Sequence, residues 1–175
     1  MKKQFAALAL FAAIATPVMA DGFYVGADAG RSKYSFDGGS ENDTTLGIFA
    51  GYDVHPNFAI EAGYRTFGEI SGSDEGVALA VEATGPQASL IAKTQIADGV
   101  DVYGRFGVMS VKLKATASMG GVSASESETK ARTLFGLGAR YAVTKEFGVR
   151  AEYTQVAKWD DLKLSTFTVG ADYRF

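Results

Sequence analysis

Read back from its last residue, the chain alternates. Phe175, Tyr173, Ala171, Val169 and Phe167 are apolar, and Arg174, Asp172, Gly170, Thr168 and Thr166 lie between them. That period of two predicts a strand with one apolar and one polar face. The pattern recurs in eight segments, roughly 22–31, 44–54, 58–67, 87–96, 101–111, 131–142, 147–156 and 165–175. Away from the segment ends, no charged residue falls on the apolar faces. The connections alternate too. "HPN" (55–57), "ADGV" (97–100) and "TKEF" (144–147) read as tight turns, whereas 32–43, 68–86, 112–130 and 157–164 read as long polar loops. Short and long connections must then gather at opposite ends of an up-and-down sheet, the layout of an outer-membrane barrel. The third long stretch keeps some alternation on both sides of Gly120-Gly121, which predicts a projecting hairpin with its turn there. Segment 75–85 fits either a strand extension or a short helix, and Pro86 suggests that the ladder begins after it.

Alternation alone does not say which face is inside. Ten glycines (Gly26, Gly30, Gly47, Gly51, Gly63, Gly107, Gly136, Gly138, Gly148 and Gly170) share the polar face, and Gly104 lies on the other. A narrow eight-stranded interior holds only filling side chains, so small residues there leave room for long ones. The long ones are charged and of both signs: Asp28, Glu61, Arg65, Lys93, Arg105, Arg140, Arg150, Glu152 and Asp172. Aromatics gather toward both ends of the apolar faces, as at two lipid interfaces. A soluble barrel around an apolar pocket is the bland alternative, and it would turn the glycines outward. In lipid only closure satisfies every backbone group, so the prediction is an all-β, eight-stranded antiparallel transmembrane barrel.

Composition sharpens this picture. "MKKQFAALALFAAIATPVMA" has a basic start, a short apolar run and small residues before Asp21, a secretory signal peptide cleaved after Ala20. Residues 1–20 are thus export signal and 21–175 the barrel. The formal net charge is −3 before that cleavage, and there is no cysteine. An acidic, exported chain is a poor nucleic-acid binder, and without thiols it has neither disulfides nor thiolate metal sites. The single histidine, His55, sits in a short turn, far from any serine–acid pair, so the chain reads as neither enzyme nor cofactor protein. "DGGSEND" and "SGSDEG" are acidic but lack the ligand spacing of calcium loops.

"DVYGRFGV", "FGLGARYAVTKEFGVRAEYTQV" and "TVGADYRF" resemble strands five to eight of the OmpA/OmpX type of small outer-membrane barrels. Before residue 100 the resemblance rests on topology, "FYVGADAG" and "IEAGYR". It implies a monomer in the Gram-negative outer membrane, exported by the Sec pathway, with a terminal aromatic, Phe175, read by the barrel-insertion machinery. Full-length OmpA proteins continue into a peptidoglycan-binding domain, and this chain resembles the stand-alone layout. Glu61, Lys93 and Arg150 fall where the family carries an inward ion-pair gate. Arg140 replaces its acidic partner on strand six, so Arg140 and Arg150 are expected to compete for Glu61 and Glu152.

Two classes of function follow. One is structural and surface-interactive: envelope integrity, adhesion, or binding of a host or cell-surface ligand through the loops. The other is a narrow ion or solute channel gated by the interior cluster Glu61, Arg65, Lys93, Arg105, Arg140, Arg150 and Glu152, a cluster that otherwise forms a self-neutralised plug. Lys112, Lys114, Lys130, Arg132, Lys158 and Lys163 lie beyond the outer boundary, either as contacts to outer-membrane lipids and lipopolysaccharide phosphates or as a solvated rim. Trp159, beside Asp160-Asp161, is either a contact residue or an interface anchor.

Overall fold

The computed structural model describes the backbone of residues 22–36, 39–74, 77–119, 122–159 and 162–175. Side chains are described for the same set except 36, 69–74, 77–82, 113–119, 122–128, 158, 159 and 162. The described residues form eight strands: β1 (Phe23–Phe36), β2 (Gly39–His55), β3 (Phe58–Asp74), β4 (Val77–Ala97), β5 (Val100–Met119), β6 (Val122–Ala142), β7 (Phe147–Trp159) and β8 (Leu162–Arg174). Each pairs antiparallel with its chain neighbours, and β1 with β8, so the sheet closes on itself as the alternation predicts. The seam runs from Tyr24↔Arg174 to Ser35↔Lys163. At its short-turn end the Phe175 N–H donates to the Phe23 carbonyl at 3.0 Å.

Large apolar side chains cover the outer wall, among them Ile48, Leu90, Phe106, Leu137 and Val169. In water so continuous a surface would drive association; in hydrocarbon it is the solvated face. The short turns form where Asp, Gly, Pro and Asn permit. Asp98-Gly99 links β4 to β5, and Gly99 has φ +71°, a left-handed conformation that costs glycine little.

The strands run well beyond the predicted segments. Stretches 32–43, 68–86, 112–130 and 157–164, expected as loops, are mostly paired strand: β3 and β4 pair as far as Asp74↔Val77, with a register shift between Thr66 and Glu69, and β5 and β6 stay in register to Met119↔Val122. Past the lipid both faces meet water, so the alternation that marks a strand fades while the backbone goes on pairing. The tip Gly120-Gly121 lies outside the described residues. Segment 75–85 resolves as strand from Val77 onward, paired on both sides. Pro86 does not begin the ladder. It lies inside β4, where the β4–β5 pairing skips from Thr84↔Lys112 to Gln87↔Met109 without changing register, as expected of a residue with no N–H to give.

Candidate functional site

Because side chains alternate, each strand turns every second residue into a lumen too narrow for water-filled space. The inward residues fall into layers. Nearest the short turns, Arg140 grips Asp172 with two guanidinium nitrogens, at 2.9 Å from Nε to Oδ1 and 2.7 Å from Nη2 to Oδ2. Asp53 meets Lys93 Nζ at 2.7 Å and also pairs with Arg174. Above them lie Tyr24, Phe49, Ala59, Ile91 and Tyr103, a buried apolar cluster.

The next layer is a belt of six charges. Arg105 bridges Glu61 (Nη2–Oε1 2.6 Å) and Glu152 (Nη2–Oε2 3.0 Å). Arg150 holds Glu61 from the other side at 2.8 Å and approaches Asp28 at 3.6 Å, and Asp28 pairs with Arg65 at 2.8 Å. Hydroxyls complete the shell: Tyr103 and Thr154 donate to Glu152 at 2.8 and 2.7 Å, and Tyr24 donates to Glu61 at 3.3 Å. Arg150 also stacks on Phe49, its Cζ 3.3 Å from the ring centre, a cation–π contact that favours a desolvated guanidinium. Three cations face three anions, so the belt is neutral, as buried charges must be to persist.

The next interior layer outward is apolar. Tyr34, Phe67, Met109, Leu134, Val156 and Leu164 form one buried cluster, with Phe67 and Leu134 at 0% exposure. Phe67 O accepts hydrogen bonds from Ser32 Oγ (2.7 Å) and Tyr34 Oη (3.1 Å), tying β3 to β1 across the lumen. This apolar stopper has no counterpart in the sequence reading.

A filled, ion-paired eight-stranded barrel in an apolar coat can be compared with known proteins. Residues 18–175 match the model of the OmpA-like transmembrane domain. The chain belongs to that family. Outer membrane protein A of Shigella flexneri is 30% identical over 185 residues, covering 97% of this chain and 53% of that protein. Outer membrane protein P5 of Haemophilus influenzae is 32% identical over 160 residues, covering 78% and 45%. The chain thus spans about half the length of the curated relatives it matches. Among solved structures, Ail, the attachment invasion locus protein of Yersinia pestis, in complex with the heparin analogue sucrose octasulfate, shares the fold at a TM-score of 0.68. The two are 22% identical over 89% of this chain and 100% of that one. Neisserial surface protein A shares it at 0.66, with 22% identity over 89% and 98% of the two chains. This OmpA-like barrel is therefore an integral protein of the Gram-negative outer membrane.

Within the OmpA-like barrel the predicted interior residues do not form one cluster. Glu61, Arg65, Arg105, Arg150 and Glu152 meet in the belt, joined by Asp28. Arg140 and Lys93 lie a layer closer to the short turns, so Arg140 does not compete for Glu61 or Glu152; β8 supplies it with Asp172. Of the rim cations, Lys112 and Lys163 are exposed, and their strand parity turns them outward. Lys130 and Arg132 share the parity of Leu134, on the inward face, and are half-buried. The side chains of Lys114, Lys158 and Trp159 are outside the described set; the Trp159 backbone closes the β7–β8 hairpin opposite Leu162. His55 is exposed beside its turn, where its Nδ1 accepts the Asn57 N–H at 3.2 Å and its ring packs 5.9 Å from Phe58. Phe175 lies on the outer wall within a run of rings, 5.0 Å from Tyr173 and 5.8 Å from Phe23. Sequence reasoning passed over Arg31 and Lys33, which stood at the edge of a presumed loop. Both are exposed on the outward face of β1.

Proposed function

We propose that this barrel is a structural and surface-interaction element of the outer membrane, working through its outer hairpins rather than as a pore or an enzyme. The observation that carries the reading is the contrast between its two ends: the lumen is filled by an ion-paired belt and an apolar stopper, while paired strands continue past the lipid band as far as Met119↔Val122. A rearranged ion pair in the belt would still leave the stopper closed, which weighs against the channel alternative. The Yersinia pestis neighbour is an attachment protein whose structure holds a heparin analogue, so attachment is the first activity to assay. Residues 1–20 serve as the export signal, Phe175 as the mark read by the insertion machinery, and the barrel works as a monomer.

Trimming residues 113–128 to a short turn tests the reading. The expected outcome is a barrel that still folds, judged by faster migration of the unboiled sample, and that loses attachment to host-cell or sulfated-polysaccharide surfaces. Discrete single-channel conductance from the untrimmed chain in planar lipid, altered by Arg150→Ala, would replace this reading with the channel.

A further inference from the structure

We propose that the open edge of β6 above the lipid band, residues 122–133, pairs antiparallel with the same edge of a second copy of this chain held in a facing membrane. The pairing rests on the hairpin reading and names a partner for it. β5 and β6 pair without a shift from Val100↔Tyr141 to Met119↔Val122. On its other side β6 meets β7 only from Leu134↔Val156 to Ala142↔Gly148. Among the described residues, 122–133 therefore pair with β5 alone and turn a line of backbone donors and acceptors toward water. Such an edge is a template for one more strand.

Three features single out this edge. First, it is regular. The comparable edge of β3 is interrupted by the shift between Thr66 and Glu69, with Gly68 at φ +86°, and a bulge of that kind turns an edge away from partners. β6 has no such shift and no proline between 122 and 133. Second, one set of alternate positions is small and neutral: Ser125, Ser127, Thr129, Ala131 and Thr133 give nothing bulky to hold a neighbouring strand off. Third, the other set carries charges in blocks, Glu126 and Glu128 followed by Lys130 and Arg132. Read in the opposite direction, that order is its own complement. β2 also has a stretch unpaired toward β3, Gly39–Thr45, but it carries Glu41 and Asp43 at alternate positions. A second copy of that stretch would bring like charges together, which is unfavourable across a strand pair.

The charges fix the register. With Thr129 of the two copies opposite one another, Glu126 falls opposite Arg132 and Glu128 opposite Lys130, once in each direction. Sliding the pair by two residues sets Glu128 against Glu128 or Lys130 against Lys130, and a one-residue slip turns one copy's charged face over. The contact is isologous, each edge giving what it receives. Orientation follows as well. Barrel strands tilt about 35–45° from the membrane normal, so two copies standing in one membrane cannot bring their β6 strands antiparallel. A copy in a facing membrane can, and each barrel stays single within its own bilayer. Thr129 stands about 20 Å of strand beyond Phe135, so only closely apposed membranes are joined.

The test is clustering of phospholipid vesicles that carry the full refolded chain, followed by dynamic light scattering. Wild type should cluster. E126K/E128K makes the charged positions wholly basic and K130E/R132E makes them wholly acidic, so either variant alone should cluster at least about tenfold less, at the strength of cross-strand charge pairs. Mixing vesicles of the two variants should restore clustering, because every facing pair is then opposite in sign. The chain has no cysteine, so T129C, on the two-fold axis, should form an interchain disulfide in clustered vesicles, and S123C should not. Absence of wild-type clustering overturns the proposal, as does undiminished clustering by either variant alone or a mixture that stays dispersed. Equal cross-linking through T129C and S123C overturns the register. Heat-modifiable migration shows separately that each variant is folded. Attachment to host-cell or sulfated-polysaccharide surfaces without clustering would sink the self-pairing alone, whereas discrete single-channel conductance would sink the hairpin reading itself.

Discussion

Replacing Arg105 with methionine keeps most of the volume of the side chain and removes the bridge of the belt. Glu61 would keep Arg150 at 2.8 Å, but Glu152 would be left with the hydroxyls of Tyr103 and Thr154 alone. The belt would change from three cations and three anions to a net negative charge, at a site where the Arg105 and Glu61 side chains are each 1% exposed. Breaking one partner out of so buried a pair costs about 3–5 kcal/mol. With a urea slope of about 2 kcal/mol/M, that lowers the unfolding midpoint by about 1.5–2.5 M. The assay is urea unfolding in lipid vesicles, read from the fraction of faster-migrating band. The double variant Arg105→Met/Glu152→Met restores neutrality and should recover much of the loss, because replacing both charges with apolar groups of similar size is often neutral. A loss below about 1 kcal/mol for Arg105→Met would mean that water reaches the belt and screens it. Strictly additive single and double variants would mean that the two charges are not coupled. Either result refutes a dry, paired interior.

The layer nearest the short turns should behave differently. Lys93 and Asp53 are partly exposed (14% and 18%), so Lys93→Met should cost about 0–1 kcal/mol and be sensitive to salt, checked by the same unfolding series. Gly30→Ala should be poorly tolerated, since its added Cβ would lie 1.9 Å from the Phe167 carbonyl oxygen, whereas at Gly104 the nearest atom is Leu137 Cδ2 at 4.0 Å. Overpacking of this kind costs about 1–3 kcal/mol, and Gly104→Ala should match or exceed wild-type stability. Phe175→Ala separates recognition from packing. If the ring is chiefly a mark for the insertion machinery, folded yield falls in cells while refolding into vesicles stays near wild type; a comparable loss in both would assign it to contacts with Tyr173 and Phe23. The N-terminus of protein taken from membranes should read Asp21.

The faces of this barrel were legible because lipid on one side and a narrow lumen on the other impose opposite demands on successive residues. Leu137 and Arg140, or Tyr153 and Glu152, could be sorted by parity alone, and the structure keeps them sorted. Strand ends were not legible, because beyond the bilayer nothing penalises a polar residue on either face. That is why 112–119 looked like loop and why Arg31 and Lys33 went unnoticed. Charge pairing was hidden for another reason. Arg140 finds Asp172 through the β6–β7–β8 register, a long-range property that local spacing does not encode. The apolar stopper concealed itself by breaking the rule: Met109 and Val111 follow Val108 so closely that inward apolar positions read as lost periodicity.

The β1–β8 seam carries a consequence for how the molecule comes apart. Its register extends over most of both strands, from Tyr24↔Arg174 to Ser35↔Lys163. Opened within hydrocarbon, both edges would expose ladders of unpaired amides and carbonyls, at several kcal/mol for each group left without a partner. Half-open forms are therefore scarcely populated, and the chain passes between inserted and released as one cooperative unit. Gel bands of intermediate mobility should be absent throughout a urea series, however much any single substitution shifts its midpoint.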